Sequence, residues 1–227
     1  MELRNRLGIL NTQQKQIYGS HSLLESQDFI SLAKPLFTLQ KKSTLVHQEK
    51  PFQGLYVVRC GALKQVIQHN NKKEMLSNFF LPGDIIGLDA IGERHYCGAT
   101  TAIETSGLLH IPFNLIEELP ISHSSHMQLL RCLSRAIYLE NSRIWQMISQ
   151  PSDVRLACFF IMMSCKFSAQ GYSPYCFRLA MSRKEIADYL CMAIETLTPS
   201  VSLVVRLAIS PKLSPEGAVW NSCATLF

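Results

Sequence analysis

The sequence predicts an α+β protein with an antiparallel β module first, a long helix next and a small helical domain last. Short apolar runs separated by turn residues fill the region from about residue 36 to residue 112. Residues 122–150 contain neither glycine nor proline, and beyond residue 151 the apolar residues recur at helical spacing. The boundaries predicted from these changes are 1–121, 122–150 and 151–227.

The β module is predicted from its turns. "TTAIETSGLLHIPF" supplies one or two further strands after the shorter runs, and Pro82-Gly83 fits the two central positions of a type II turn. Short strands with regular turns indicate an antiparallel sandwich or barrel. Before them, "SLLESQDFISLAKPLF" (residues 22–37) is amphipathic and predicts one or two short helices. The turn residues between the runs are Gly54, Gly61, Asn70, Asn71, Pro82, Gly83, Asp84 and Gly92.

The long segment 122–150 allows a helix of up to about 40 Å. Its apolar residues follow a seven-residue repeat, which fits either a helix packed on its own domain or the seam of a two-chain coiled coil. Further apolar residues outside one stripe favour the homodimer. Glu140 is awkward at a seam position, where it is either splayed to the rim or a specificity device. The predicted dimer residues are Leu130, Leu133, Ile137, Glu140, Ile144 and Met147.

The C-terminal part reads as helices with clear boundaries. Pro151 ends the long helix, and Ser152 or Asp153 can cap the next one, which is apolar nearly all round and therefore buried. "GYSPYCFRLAM" brings turn residues and a short strand. Ser182 with Glu185 forms a capping box. Two short helices follow, separated by a break, in the helix-turn-helix pattern; their inner faces are Ile186, Tyr189 and Leu190, then Leu197, Val201, Val204 and Val205.

Composition excludes several protein classes. The hydrophobic content of 47% can fill a core, and the net charge of +5 permits a polyanionic partner without requiring one. The eight cysteines include no CxxC pair and "MELRNRLGIL" is no secretory leader, so they are predicted to be reduced and mostly buried in a cytoplasmic protein. No run reaches the roughly 18 apolar residues of a membrane span. No general acid–base or nucleophile constellation is present, so no enzyme is predicted.

Four stretches carry a resemblance to a known family: "LPGDIIGLDAIG", "AIETSGLLHIPF", "SAQGYSPYCFRLAMSRKEIADYL" and "IETL". In this order and spacing the chain resembles the CRP/FNR superfamily of bacterial transcription regulators, and within it the FNR-like branch. The resemblance covers roughly residues 25–207. It implies an N-terminal β-roll of the cyclic-nucleotide-binding type, a dimerisation helix and a C-terminal winged helix-turn-helix.

The residues that would bind an effector depart from the family pattern. The cAMP-binding branch has a glutamate for the ribose and an Arg-Ser pair for the cyclic phosphate, and the matching positions here are Leu88 and Cys97-Gly98. Without the guanidinium the bidentate phosphate contact is lost. The resemblance therefore predicts no high-affinity cyclic-nucleotide binding.

The FNR branch senses oxygen with an iron–sulfur cluster held by three N-terminal cysteines and one on the β-roll. This chain has no cysteine before Cys60, and the β-roll position aligns with Leu109, so no cluster is predicted. Haem remains open in principle, although each candidate is more typical of a surface or core histidine. No cofactor and no metal site is predicted. The histidines considered were His47, His69, His95 and His110 for haem, and the pair His123 and His126 for a metal.

By position, the resemblance assigns DNA contacts to the helix pair. Glu195 would accept from a cytosine amino group, and Thr196 would contact phosphate. The family arginine that would read guanine is replaced by Pro199. The complete set of predicted DNA-binding residues is Ser182, Arg183, Lys184, Glu195, Thr196 and Thr198.

Three replacements weaken this reading element. Cys191 stands where the family turn has glycine, and Ala193 stands where a residue caps the second helix; each is expected to cost about 1 kcal/mol. Pro199 inside a helix would cost about 3 kcal/mol. Two alternatives remain open: the second helix begins near Ile194 and bends at Pro199, or it begins at Thr198 and leaves Glu195 in a loop.

The tail "ISPKLSPEGAVWNSCATLF" contains two prolines and little strand alternation, so it is either a degenerate wing or the product of a frameshift. The sequence as a whole predicts a cytoplasmic homodimeric transcription regulator that binds double-stranded DNA and contacts RNA polymerase, with no membrane partner. The alternative is a β-roll dimer with a defective reading head, which acts through protein contacts or is a degenerate copy.

Overall fold

The computed structural model describes residues 29, 33–69, 74–114, 123–173 and 177–197. The chain divides into two compact units, one of residues 21–139 and one of residues 1–20 with 140–227. The division falls inside the long helix, and each unit is described by itself. Within the described residues no helix is long and apolar enough to cross a membrane.

The first unit contains an antiparallel sandwich of two four-stranded sheets, as the sequence predicts. The sheet orders are β1-β8-β3-β6 and β2-β7-β4-β5. "TTAIETSGLLHIPF" provides two strands, and the predicted N-terminal helical segment ends in a strand instead, because its last residues form β1. The strands are β1 Lys34–Leu39, β2 Thr44–Val46, β3 Gly54–Cys60, β4 Leu63–Gln68, β5 Glu74–Phe80, β6 Ile85–Ile86, β7 Ala99–Ala102 and β8 Ser106–Pro112.

Strand β3 carries core on both of its faces, which explains its unbroken apolar run. Tyr56 and Val58 point into the cluster between the two sheets, together with Leu63 of the opposite sheet. Leu55 and Val57 point the other way, into a second cluster that includes Phe29, Ile111, Leu129 and Cys132. Because successive side chains of a strand face opposite sides, a strand between two clusters is apolar throughout.

The turn at Pro82-Gly83 has the predicted geometry. The Asp84 backbone N–H donates to the Leu81 carbonyl at 2.9 Å, and Gly83 has a φ of +92°. A positive φ at the third residue is what a type II turn requires of its glycine. The Asp84 carboxylate also accepts from the Leu81 N–H at 2.8 Å. The prediction of a type II turn is confirmed.

The helices are α1 His123–Ser149, α2 Ser152–Ala169 and α3 Arg183–Tyr189, and a helix α4 begins at Ile194, with residues 194–197 described. Helix α2 is buried over much of its surface, as predicted. Its N-cap is Pro151 and not Ser152 or Asp153, since both of those residues lie inside the first turn. The Asp153 carboxylate accepts from the Val154 N–H at 2.9 Å, and its charge favours the helix N-terminus.

Two predictions are wrong in part, one about a strand in this unit and one about the cysteines of both units. Residues 177–180 form no strand; Phe177 is buried and stacks on Phe167 of α2 at 4.9 Å instead of pairing with another strand. The cysteines are not mostly buried, because of the six described ones only Cys132 and Cys158 are buried. Burial raises the pKa of the Cys158 thiol to about 11, so that thiol stays protonated and unreactive. All six are free thiols, as predicted.

Candidate effector site and nucleic-acid interface

Helix α3 begins with the predicted capping box. The Glu185 backbone N–H donates to Ser182 Oγ at 3.3 Å, and the Ser182 N–H donates to Glu185 Oε2 at 2.8 Å. The Ser182 hydroxyl also donates to the same carboxylate at 2.8 Å. Ser182 is thus engaged in the cap, while Arg183 and Lys184 beside it are exposed. Both residues lie in the first turn of the helix.

Helix α3 ends in a Schellman motif. The Met192 N–H donates to the Ala187 carbonyl at 3.0 Å, and the Cys191 N–H donates to the Asp188 carbonyl at 3.2 Å. Cys191 has a φ of +50°. This is the position where helices place glycine, because a Cβ disfavours the left-handed region. The cost expected for a cysteine in place of the family glycine depends on a positive φ, and Cys191 has one.

Arg155 of α2 holds the same turn from the side. Its Nη1 donates to the Leu190 carbonyl at 2.6 Å and to the Cys191 carbonyl at 3.1 Å. These carbonyls close the C-terminal end of α3, where a positive charge is also favoured by the helix dipole. Arg155 lies 35 residues before Leu190, and neither periodicity nor motif spacing indicates this contact.

The second half of α1 contacts the same helix pair. The Arg143 guanidinium lies 5.3 Å from the ring centre of Tyr189 and donates twice to Glu140, at 3.0 and 2.8 Å. The Met147 sulfur lies 3.9 Å from Cys191 Sγ. Glu140 and Met147, predicted as seam residues, thus have partners within their own chain.

Helix α4 begins at Ile194, and the Thr196 N–H donates to the Ala193 carbonyl at 3.0 Å. The alternative start at Thr198 is wrong, so Glu195 lies in the first turn of the helix, where it is exposed. Leu197 is 1% exposed and anchors the helix, as predicted. Thr198, Pro199 and the apolar positions Val201, Val204 and Val205 lie outside the described residues, as does the tail.

Large apolar side chains remain exposed along α1. Leu130 is 55% exposed, Ile137 62% and Ile144 48%. Trp145 and Ile148 are exposed as well. The three residues at seven-residue spacing are thus available to a partner, whereas the interleaved positions Leu133, Glu140 and Met147 are half-buried.

The candidate effector site lies around the short 3-10 turn Leu88–Ala90, which follows β6. Gly87 precedes it with a φ of +96°. Leu88 packs against the cluster that contains Leu55 and Cys132. The Cys97 thiol donates to the Asp89 carbonyl at 3.3 Å, and burial, with the charges of Asp89 and Glu93, raises the pKa of this thiol above its ordinary value. The site therefore offers a neutral thiol where a phosphate would need a cation.

Two buried polar side chains lie beside this turn. Gln65 of β4 donates from Nε2 to Asp89 Oδ2 at 3.0 Å, and its Oε1 accepts from the Ser77 hydroxyl at 2.9 Å. A Cβ added at Gly98 would lie only 2.9 Å from Gln65 Cγ and 2.9 Å from the Val66 carbonyl. A serine at this position has no room unless both Gln65 and the Val66 carbonyl shift.

The histidines considered for haem are scattered. His47, His69 and His95 are exposed, and no group of three or more histidine, cysteine, aspartate or glutamate side chains that could hold a metal occurs among the described residues. His110 stacks on Tyr56 at 4.6 Å. Burial, and to a lesser extent the charge of Lys34, lowers the pKa of His110 below its ordinary value. His126 is exposed, and the side chain of His123 lies outside the described part.

Comparison with known proteins agrees with this arrangement. A family model described as cyclic nucleotide-binding domain matches residues 36–123. The fumarate and nitrate reduction regulatory protein of Shigella dysenteriae is 32% identical over 200 residues, which are 88% of this chain and 78% of that protein. The transcriptional activator protein anr of Pseudomonas aeruginosa is 35% identical over 180 residues, 79% of this chain and 72% of its own. The chain belongs to the CRP/FNR family of transcription regulators.

Solved structures agree with the fold of this CRP/FNR family member. The structure of FixK2 from Bradyrhizobium japonicum has a TM-score of 0.68 and 21% sequence identity, and covers 78% of this chain and 86% of that chain. A CRP/FNR family regulator of Thermus thermophilus, with 16% identity, has a TM-score of 0.56 and covers 77% of this chain and 88% of its own. The matched relatives are transcription regulators and not enzymes.

Sequence reasoning missed the side chains that hold these two sites in place. Alternation places Gln65 on the same strand face as Leu63, but no sequence pattern singled out its role or the roles of Arg155 and Arg143. Only the long-range hydrogen bonds and the ring contact reveal their roles.

Proposed function

We propose that this CRP/FNR family member is a homodimeric, cytoplasmic regulator that binds two-fold-symmetric double-stranded DNA, contacts RNA polymerase and uses neither a cyclic nucleotide nor an iron–sulfur cluster. The observation that carries the proposal is the start of α4 at Ile194, which presents Glu195 in an exposed first turn directly after the α3 motif. A recognition helix reads bases with its N-terminal residues.

The DNA contacts follow from charge and exposure. Arg183 and Lys184 are exposed at the start of α3 and serve as phosphate contacts, with Ser182, Thr196 and Thr198 as polar neighbours. Phosphate contacts position the protein without reading sequence. Glu195 accepts from a cytosine amino group in the major groove. Because Pro199 replaces the family arginine, base preference rests on Glu195 and is weaker than in the family pattern.

Binding to DNA is tested by titrating salt against a generic duplex. For a dimer that contacts several phosphates, a plot of log binding constant against log salt concentration has a negative slope of several units. Arg183→Ala should reduce the size of this slope by about 1. Glu195→Ala changes base preference with the slope unaltered. Pro199→Arg restores sequence preference if only this residue is missing. No binding at about 50 mM salt would favour the alternative function below.

The proposed dimer is based on the exposed apolar residues of α1. Leu130, Ile137 and Ile144 are available at seven-residue spacing, the pattern that pairs two helices. The half-buried Leu133, Glu140 and Met147 flank this contact. Light scattering on wild type should give the mass of two chains, and Ile137→Glu should give one. Arg131→Glu, an exposed position about 120° away around the helix, is the matched control and should remain dimeric.

The proposed independence from effectors is based on the residues of the β-roll. Leu88, Cys97 and Gly98 provide no carboxylate for a ribose and no cation for a phosphate, and Leu109 provides no thiolate. Calorimetric titration with cAMP and cGMP should show no binding in the micromolar range. Anaerobic incubation with iron and sulfide should give no visible chromophore. A chromophore with four irons per dimer would contradict this part of the proposal.

The alternative is a β-roll dimer whose head no longer reads DNA and which acts through protein contacts or is a degenerate copy. It is favoured by the strained φ of Cys191, by Ala193 at the start of α4 and by Pro199 five residues after Ile194. The salt titration separates the two functions, because a helix-turn-helix that no longer binds DNA gives no measurable dependence of binding on salt.

A further inference from the structure

Gln65 and Ser77 are the starting point, because both are polar and lie inside the β-roll at 6% and 7% exposure. Burying a polar side chain without a partner is unfavourable. The two side chains satisfy each other through the hydrogen bond from Ser77 Oγ to Gln65 Oε1 at 2.9 Å. The remaining amide group of Gln65 is directed to the 3-10 turn, where Nε2 meets Asp89 Oδ2 at 3.0 Å.

The orientation of the Gln65 amide follows from its partners. A carboxylate accepts hydrogen bonds only, so the atom facing Asp89 is the NH₂ group. The oxygen then faces the Ser77 hydroxyl, which is able to donate. Ser77 of β5 therefore donates to Gln65 of β4, and Gln65 donates to Asp89 of the turn. The second of these hydrogen bonds has a charged acceptor.

The position of Gln65 matters as much as its bonds. Asp89 follows Leu88, the position at which the family resemblance places a ribose ligand. Gln65 Cγ lies 2.9 Å from the point where a Cβ of residue 98 would stand, the position at which the resemblance places a phosphate ligand. Gln65 is thus bonded to the residue that follows the first of these positions and lies directly beside the second.

We propose that Gln65 is an internal substitute for the effector, which ties the 3-10 turn to strands β4 and β5 and holds the β-roll in one ligand-independent state. Leu88 of this turn, with the neighbouring Ile91, packs against the cluster that includes Leu129 and Cys132 of α1. The tether therefore also fixes the surface on which the first part of α1 lies. This regulation rests on the family membership of the β-roll and not on DNA binding.

The test is hydrogen–deuterium exchange of the full-length protein, read on peptides covering residues 86–91 and 129–132. Gln65→Leu keeps the volume and removes both hydrogen bonds, and Asp89→Ala removes the tether from its less buried end. Both variants should exchange about tenfold faster at residues 86–91, the factor expected when a hydrogen bond to a charged group is lost. Unchanged exchange in Asp89→Ala would overturn the proposal even if Gln65→Leu fails to fold.

Two controls make the result specific. Ser77→Ala removes the bond to Gln65 Oε1 but leaves the link to Asp89, so exchange at residues 86–91 should change much less than in Asp89→Ala. Equal acceleration in both variants would overturn the tether. A thermal shift of wild type with millimolar cAMP or cGMP should be absent, and a raised Tm would overturn the proposal because a bound nucleotide would show that Gln65 does not replace the effector. The exchange measurements involve neither DNA nor a nucleotide, so their failure is distinguishable from failure of the proposed function.

Discussion

The effector turn and the turn of the helix pair have both changed relative to the family pattern, but with different structural consequences. Around the effector turn the replaced residues have new partners: Leu88 packs into a core cluster, Cys97 donates to the Asp89 carbonyl and Gln65 fills the space beside Gly98. In the helix pair, Cys191 keeps a φ of +50° that suits glycine, and Ala193 has no side-chain oxygen to cap α4.

The two turns therefore differ in whether the surrounding residues accommodate the departures from the family pattern. On the proposal that Gln65 replaces the effector, reverting a single position in the β-roll should destabilise it. The helix pair retains its geometry through contacts from outside, chiefly Arg155, and still carries unfavourable positions. Single substitutions towards the family pattern should therefore stabilise it. The predictions below test this opposition.

Removing Arg155 should have the largest effect. Arg155→Met loses two hydrogen bonds from a charged donor to the carbonyls of Leu190 and Cys191, and we expect a loss of about 3 kcal/mol in the free energy of unfolding. Urea denaturation measures it. Arg155→Lys should recover part of the loss, and Arg178→Met, at an exposed arginine, should change little. A wild-type midpoint for Arg155→Met would show that the turn does not depend on this contact.

Restoring a serine at position 98 should be destabilising, although serine is the residue of the family pattern. The added Cβ would lie 2.9 Å from both Gln65 Cγ and the Val66 carbonyl, and overpacking of this kind costs about 2 kcal/mol. Gly92→Ser is the matched control, because a Cβ there meets nothing within 4 Å. If both serine variants unfold at the same urea concentration, the β-roll is not adapted to Gly98 and the contrast between the two turns fails.

Glycine at position 191 should stabilise the helix pair. Cys191→Gly relieves the positive φ, while Cys191→Ala removes the same thiol contact with Met147 but keeps a Cβ. We expect the glycine variant to be more stable than the alanine variant by about 1 kcal/mol. Thermal unfolding of the two variants side by side provides the measurement. Equal Tm values would mean that the turn relaxes without strain.

Local sequence patterns predicted much of this molecule. Pro82-Gly83 specifies its turn, and Ser182 with Glu185 specifies the start of α3, because each pair interacts over three residues or fewer. Sequence patterns gave the wrong structure where contacts between residues distant in the sequence determine it. The apolar residues of "GYSPYCFRLAM" looked like a strand, yet Phe177 stacks on Phe167 of α2.

The sequence predicted where the candidate site residues lie, but not the contacts that hold them in place. Of the two predicted starts of α4, the one near Ile194 is confirmed and leaves Glu195 in the first turn, while its contact with DNA stays a prediction. The positive φ of Cys191 agrees with the glycine that the family has there. Alternation with Leu63 places Gln65 on the inner face of β4, but it does not identify the partners of the amide. Its burial depends on Asp89 and Ser77, which lie 24 and 12 residues away, and no periodicity links residues at such separations.

A cap for α4 should give the smallest gain. Ala193 precedes the first helical residue, and its carbonyl already accepts from the Thr196 N–H at 3.0 Å, the geometry of an N-cap residue. Ala193→Ser adds a hydroxyl that can accept from a free N–H of the first turn, which is worth about 0.5 to 1 kcal/mol. Ala193→Val adds bulk without an acceptor and should give no gain. Urea denaturation of the two variants measures this gain in the free energy of unfolding. Each variant is also combined with Cys191→Gly, and the gain from serine should be the same in that background. If serine and valine behave alike, the start of α4 is not limited by its cap, and the difference between the adapted β-roll and the strained helix pair would then rest on Cys191 alone.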